Sequence, residues 1–170
     1  MDDKPSCRWA RVSPAMTAYH DEEWGTAPAS DDGYFESLTL EIFEAGLNWT
    51  LIFNKRESFR SAFDGFSLSA VSEYGPEDVE RIMASPNIVR NQRKIAAAVV
   101  NAKEFREIQS AHGSFRAWLD GLSGDEPDLM KELGRRFDFV GPSVARSFLH
   151  DVGRTPPHHE PGCWKALARG

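Results

Sequence analysis

Four side chains near the two ends of the chain have the types needed to close a metal shell. Cys7 and His20 stand at one end, His159 and Cys163 at the other, and the sequence holds no other cysteine. Two thiolates and two imidazoles fill a tetrahedral zinc shell with no open position, the arrangement of a structural site. His159-x3-Cys163 is short enough for one turn of chain to offer both ligands, whereas the Cys7–His20 spacing says little alone. Three other readings compete: unpaired thiols, a disulfide between the ends, and His158 in place of His159. An intracellular setting disfavours the disulfide.

A second group is aromatic. Trp9, Tyr19, Trp24 and Trp49 fall early in the chain. Such residues ordinarily build core. Glu41 modifies that reading, because it borders the apolar stripe Phe35/Leu38/Ile42/Ala45 at helical spacing. A carboxylate at the edge of a core needs a partner. A flat cationic or amino-bearing ligand, stacked between rings and bonded to the acid, would serve. An arginine or the backbone would serve equally.

A third segment has a definite shape. Leu133-Gly134-Arg135-Arg136-Phe137-Asp138-Phe139-Val140-Gly141-Pro142-Ser143-Val144-Ala145-Arg146 joins a basic helix end to a new helix through a short apolar turn. Gly141 lets backbone approach a ligand. Pro142 or Ser143 opens the next helix, whose free N–H groups suit a phosphate. The segment looks like a helix-hairpin-helix element gripping a DNA backbone, with Arg135, Arg136 and Arg146 around it and Asp138 opposing. The plain alternative is an αα-corner with Phe139 and Val140 packed inward.

The elements that must position these groups read as helices almost throughout. Asp31 or Asp32 caps a helix that Gly46 stops. Asn48 caps a second, running through Trp49, Leu51, Ile52, Phe59 and Phe63. Ser67 and Gly75-Pro76 open two short helices. After Pro86 comes a long helix with Ile95, Ala98, Val99, Ala102 and Phe105 on one stripe and Arg90, Arg93 and Lys94 on another. Further helices fit 114–120 and 128–136, and the last runs from Pro142 or Ser143 to Gly153. Residues 155–162 are Pro- and Gly-rich and read as irregular. Alternating strand runs are absent, so the fold class is all-α.

With 170 residues, 41% hydrophobic and 27% charged, the chain suits one globular domain, 1–170. Eleven Phe and five Trp exclude global disorder. No window approaches a membrane span, and Met-Asp-Asp-Lys-Pro lacks the pattern of a signal peptide, so a cytoplasmic protein without membrane contact is expected. The formal net charge of −6 argues against a polyanionic partner. Its distribution argues the other way. Residues 20–44 carry acids and no Lys or Arg, whereas 88–106 concentrate Arg90, Arg93, Lys94, Lys103 and Arg106 against Glu104 alone. An acidic protein can own a basic face, because potential is screened within about 8–10 Å.

Several runs bring one family into view: Tyr19-His20-Asp21-Glu22-Glu23-Trp24-Gly25, Leu40-Glu41 with Ala45-Gly46-Leu47-Asn48-Trp49, Asn54-Lys55-Arg56-Glu57, Ile88-Val89-Arg90-Asn91-Gln92-Arg93-Lys94-Ile95, and Phe137-Asp138-Phe139-Val140-Gly141-Pro142. In types and order, from Cys7 to Cys163, the chain resembles the bacterial DNA-3-methyladenine glycosylase I family. The resemblance implies the helix-hairpin-helix glycosylase fold, with the hairpin at about 128–153. It implies a structural zinc on Cys7, His20, His159 and Cys163 that joins segments 7–20 and 158–163. It implies a base pocket of Glu41, as the catalytic carboxylate, with Tyr19, Trp49, Trp9 and Trp24. Arg90, Arg93, Lys94, Arg135, Arg136, Phe139, Gly141, Ser143 and Arg146 would hold double-stranded DNA with alkylated bases, and a monomer is the expected state.

The implied reaction is hydrolysis of the N-glycosidic bond of 3-methyladenine. The lesion is cationic and leaves as a neutral base, so no strong general acid is needed. An Asp assists the sugar cation elsewhere in the superfamily; the family resembles an exception, and no Asp after the hairpin stands out here. The chain departs from the family at Phe43 and Glu44, where two Gln are common, at Met16, at Asp138, and in a short loop at 121–128. These departures bear on the substrate, so a glycosylase for another alkylated base, an inactive damage binder, and an interaction module using the acidic 20–44 surface are the competing functions.

Overall fold

The protein is described by a computed structural model covering residues 4–168. Met1-Asp2-Asp3, part of the stretch read against a signal peptide, lies outside the described residues. The α-helices are, in order, α1 (Pro14–Ala18), α2 (Asp31–Glu44), α3 (Trp49–Asn54), α4 (Arg56–Ala62), α5 (Leu68–Val71), α6 (Pro76–Met83), α7 (Gln92–His112), α8 (Phe115–Gly121), α9 (Glu126–Arg136), α10 (Pro142–Asp151) and α11 (Trp164–Leu167). No strand occurs among the described residues, as the sequence pattern predicts. None of these helices is long and apolar enough to cross a membrane.

The chain forms two compact units, one made of residues up to Pro28 together with those from Leu149 onward, the other of Ala29–Phe148. The larger unit is built on aromatic packing. Phe35, Phe43, Phe59, Phe63, Phe66, Phe105, Phe115 and Phe148 are all fully buried. Phe105 and Phe115 stack with centroids 4.2 Å apart, and Phe43 meets Phe59 at 4.8 Å. Each such ring removes well over 100 Å² of apolar surface from water. The expected stripe of α7 is buried as well: Ile95, Ala98, Val99, Ala102 and Phe105 all face inward.

α2 differs from the amphipathic helix expected. Tyr34, Phe35 and every residue from Ser37 to Phe43 are buried, and the helix packs against α3, α5, α7 and α8. A helix surrounded on most sides has little solvent face to give its polar residues. Its cap is Ser30, whose hydroxyl accepts from the Gly33 amide at 3.2 Å, rather than Asp31 or Asp32. Those two acids cap other helices instead. Asp31 accepts from the Phe115 and Arg116 amides at the start of α8, and Asp32 accepts from Leu68 N at the start of α5. The long helix expected after Asn48 is two helices, broken at Lys55 (φ −99°, ψ 2°). Asn48 itself caps α3 as expected, accepting from Leu51 N at 2.8 Å.

In the smaller unit, the tail at 155–160 is irregular as expected, but α1 and α11 have no counterpart in the sequence reading. Trp164 N donates to Pro5 O at 2.8 Å, and Lys165 Nζ reaches the carbonyls of His20 and Trp24 at 2.7 and 3.1 Å. Gly25 N donates to Asp151 O at 2.8 Å. Gly153, at φ +71°, lies so near that strand of chain that a Cβ would come 2.4 Å from Gly25 O. The two chain ends are therefore stitched by backbone contacts as well as by the cysteine and histidine side chains.

Candidate functional site

Residues 19–23 form a single π-helical turn, in which Trp24 N donates to Tyr19 O at 2.8 Å. Such turns insert one residue into a helical run and recur at functional sites. Here the turn buries two neighbours at once: Tyr19 is 5% exposed and His20 0%. His20 and the segment before α11 bring the expected quartet together. The ligand atoms of Cys7, His20, His159 and Cys163 all lie within 4.8 Å of one another. Cys163 Sγ is 3.5 Å from His20 Nε2 and 3.7 Å from His159 Nδ1, and Cys7 Sγ is 3.9 Å from His159 Nδ1. His158 takes no part; it is exposed, its ring 5.7 Å from that of His150.

The surroundings of the quartet are those of a metal-binding cluster. Asp21 Oδ1 sits 2.7 Å from His20 Nδ1, which directs the lone pair of Nε2 toward the sulfurs. Asp21 also accepts from Ser6 Oγ at 3.1 Å and Trp164 Nε1 at 2.9 Å. Burial works to raise the Asp21 pKa, but the bonds from His20, Trp164 and Ser6 outweigh it and hold the carboxyl below its usual value. Burial pushes the Cys7 thiol up; the Glu160 amide, 3.3 Å from its sulfur, draws it back in part, and Cys163 adds to the rise. A cation among these groups would hold both cysteines as thiolates. The four residues can therefore hold a metal ion.

Trp9 and Trp24 pack around the same cluster. Trp24 meets His159 edge-on at 4.9 Å, Trp9 meets His20 at 5.4 Å, and the two indoles meet each other at 5.0 Å. Trp9 also lies edge-on to Tyr19 at 6.2 Å. The Tyr19 hydroxyl donates to Asp151 Oδ1 at the end of α10. The sequence reading passed over Asp151; its only local signal was a carboxylate at the end of the hairpin's second helix.

In the larger unit, Glu41 is 7% exposed, fully inside α2 rather than at the edge of a stripe. Three residues on, α2 ends, and the exposed turn 45–48 leads into the half-buried Trp49 at the start of α3. That turn is held from α7. Lys94 Nζ lies 2.9 Å from Ala45 O and 3.4 Å from Phe43 O, so the ammonium expected on DNA caps the last carbonyls of α2. Burial lowers the Lys94 pKa, with Glu44 working against that shift.

The hairpin of α9, the turn 137–141 and α10 takes an intermediate form. Val140 is buried, as an αα-corner requires, but Phe139 is 45% exposed at φ +62°, with the Arg93 guanidinium 5.8 Å above its ring. The turn is gripped by Asn101 of α7. This 1%-exposed side chain accepts from Asp138 N at 2.8 Å and donates to Asp138 O at 3.1 Å. Gly134 permits the tight crossing, since a Cβ there would come 3.0 Å from Val140 O. Gly141 and Ser143 are exposed, and a Cβ on Gly141 would meet nothing within 4 Å, which leaves room for an incoming oxyanion. The nearby cations are engaged within the protein. Arg135 pairs with Glu132, Arg136 with Glu104, and Arg146 with Glu126. Exposed pairs of this kind are weak and screened by salt, so Arg135 and Arg146 can exchange a carboxylate for a phosphate. Arg90 is exposed.

Comparison with known proteins adds to this geometry. A family model described as methyladenine glycosylase matches residues 9–132. DNA-3-methyladenine glycosylase 1 of Escherichia coli (strain K12) is 30% identical over 172 aligned positions, covering 89% of this chain and 92% of its own. A crystal structure of a 3-methyladenine DNA glycosylase I superposes with a TM-score of 0.83 at 30% identity, covering 94% of this chain and 98% of that one. The Staphylococcus aureus 3-methyladenine DNA glycosylase I, in a structure addressing 3-methyladenine recognition, gives 0.80 at 30% identity, with 93% and 96% covered.

Proposed function

The chain belongs to the methyladenine glycosylase family, and from that membership we propose that it hydrolyses the N-glycosidic bond of 3-methyladenine in alkylated double-stranded DNA. The observation that carries the reading is the Glu41 carboxylate, buried on α2 and followed by the turn into Trp49. A buried acid suits a ligand that brings its own positive charge and N–H donors.

In this reaction the nucleotide leaves the duplex, at a cost of a few kcal/mol, to expose the base. The C1′–N9 bond breaks, its electron pair neutralises the departing base, and water adds to C1′ with loss of a proton. Glu41 accepts hydrogen bonds from the base edge and balances its charge. Trp49 offers a π-face to the cationic ring. Tyr19 supplies a further polar contact, with Trp9 packed edge-on against it and Trp24 against Trp9. Phe139, Gly141 and Ser143 of the hairpin, with Arg90, Arg93, Arg135, Arg136 and Arg146, hold the phosphates and make binding salt-dependent.

We assign zinc as the ion of the cysteine–histidine quartet. Zn–S and Zn–N distances of about 2.3 and 2.0 Å give a tetrahedron with edges of roughly 3.3–3.8 Å. The sulfur–nitrogen separations of 3.5, 3.7 and 3.9 Å lie close to that range, and the whole quartet, within 4.8 Å, needs only a modest contraction to reach it. Bound there with four protein ligands, zinc would leave no open position for chemistry; Cys7, His20, His159 and Cys163 would hold it so as to fix the chain ends and, through His20, the turn that carries Tyr19.

The test is chromatography of bases released from methylated duplex DNA. Free 3-methyladenine accumulates with the wild-type protein, and Glu41→Gln slows its release by about tenfold to a hundredfold, the worth of a hydrogen bond to a charged group. Binding to methylated or abasic duplex without any released base would replace this reading with that of a damage-binding relative.

A further inference from the structure

Asp151 is a carboxylate at the far end of the hairpin's second helix. It ends α10, it lies in the same unit as Tyr19, and its Oδ1 accepts the Tyr19 hydroxyl proton. Its own backbone oxygen accepts from Gly25 N at 2.8 Å, which fixes the residue from the main-chain side. Tyr19 is fixed as well, by its place in the π-helical turn and by the edge-on contact with Trp9. The direction of this bond has a chemical consequence. An ionised carboxylate is acceptor-only, and a phenol has one proton to give. With that proton on Asp151, the Tyr19 oxygen can only accept from any further partner.

We propose that Asp151 is a positioning residue that sets the polarity of Tyr19, making it a hydrogen-bond acceptor that selects bases presenting an exocyclic amino group over bases presenting a carbonyl. The inference rests on Tyr19 reading the base, as assigned above. An acceptor at Tyr19 favours a donor edge such as that of an adenine. A 6-oxo purine would set oxygen against the Tyr19 oxygen and leave an acceptor unmatched. Sites built around a specific hydrogen bond reject ligands lacking it far more strongly than apolar pockets reject a change of size.

The experiment measures binding of free 3-methyladenine and free 3-methylguanine to the metal-loaded protein, by quenching of tryptophan fluorescence. The wild type, Asp151→Ala, Asp151→Leu, Tyr19→Phe and the Tyr19→Phe/Asp151→Ala double variant are compared. The preference for 3-methyladenine should fall by roughly tenfold in Asp151→Ala, as the tyrosine proton becomes available to a carbonyl. Asp151→Leu, which fills the vacated volume, should behave the same way. In the Tyr19→Phe background, removing Asp151 should leave the preference unchanged, a result that simple loosening of α10 would not give. An unchanged preference in both single Asp151 variants overturns the inference, as does a loss that persists without the tyrosine hydroxyl. Failure of the glycosylase reading is seen separately: wild-type protein that releases no 3-methyladenine from methylated DNA defeats that reaction, while the free-base preference still decides the role of Asp151.

Discussion

The two units hold irregular backbone in different ways. The smaller one gathers four side chains that can hold a cation and backs one of them with Asp21. The larger one uses hydrogen bonds. There a single helix, α7, sends Lys94 to the carbonyls at the end of α2 and Asn101 to both backbone groups of Asp138. Lys94 and Asn101 are seven residues apart, two turns and about 10 Å of helix, so they share one face. The first device concentrates its stability in one cluster and fails as a whole. The second divides it among independent hydrogen bonds that fail one at a time.

Removing the metal should break this contrast most sharply. Cys163→Ser should lose the ion and about 4 kcal/mol of stability, lowering Tm by about 8–16 °C in a thermal melt with metal content followed by atomic emission. A melt indifferent to chelator and to this substitution would show that backbone stitching alone holds the chain ends. Asp21→Asn sharpens the contrast at smaller scale. It removes the acceptor that orients His20 and should weaken metal affinity about 10- to 100-fold in competition with a chromogenic chelator. On the other side, Asn101→Ala should cost about 1–2 kcal/mol in denaturant melts and raise hydrogen exchange at the Asp138 amide alone. The smallest effect belongs to Lys94→Met. It should cost less than about 1 kcal/mol and leave the salt dependence of DNA binding unchanged, whereas a lost phosphate contact would lower the logarithmic slope by about 0.9.

The same contrast explains what could be read from the chain. Cys7, His20, His159 and Cys163 were legible as candidates because metal chemistry restricts residue type, but the family resemblance was needed both to favour a metal over free thiols or a disulfide and to favour His159 over His158. The α7 stripe was legible from period alone. Asn101 was not, since a polar residue inside a long helix carries no local mark of a partner 37 positions away. Asp31 and Asp32 misled for a related reason: they stand where a cap of α2 belongs, yet their carboxylates serve α8 and α5, which only the packed chain brings near. The break at Lys55 and the π-helical turn are local departures from regular helix that leave no periodic trace. Glu41 was placed on the right helix but at its margin, because period measures one face and cannot show that α2 has neighbours on most sides.

Phe139 has a consequence of another kind. A bulky residue in the left-handed region forgoes about 1 kcal/mol relative to glycine, and this one is 45% exposed, so its ring recovers only part of what full burial would return. Laboratory evolution for heat tolerance alone would therefore drift toward glycine at this position. Pairing that regime with a screen for repair in alkylated cells should restore the aromatic, and the tug between the two selections would measure how much the protruding ring is worth to its owner.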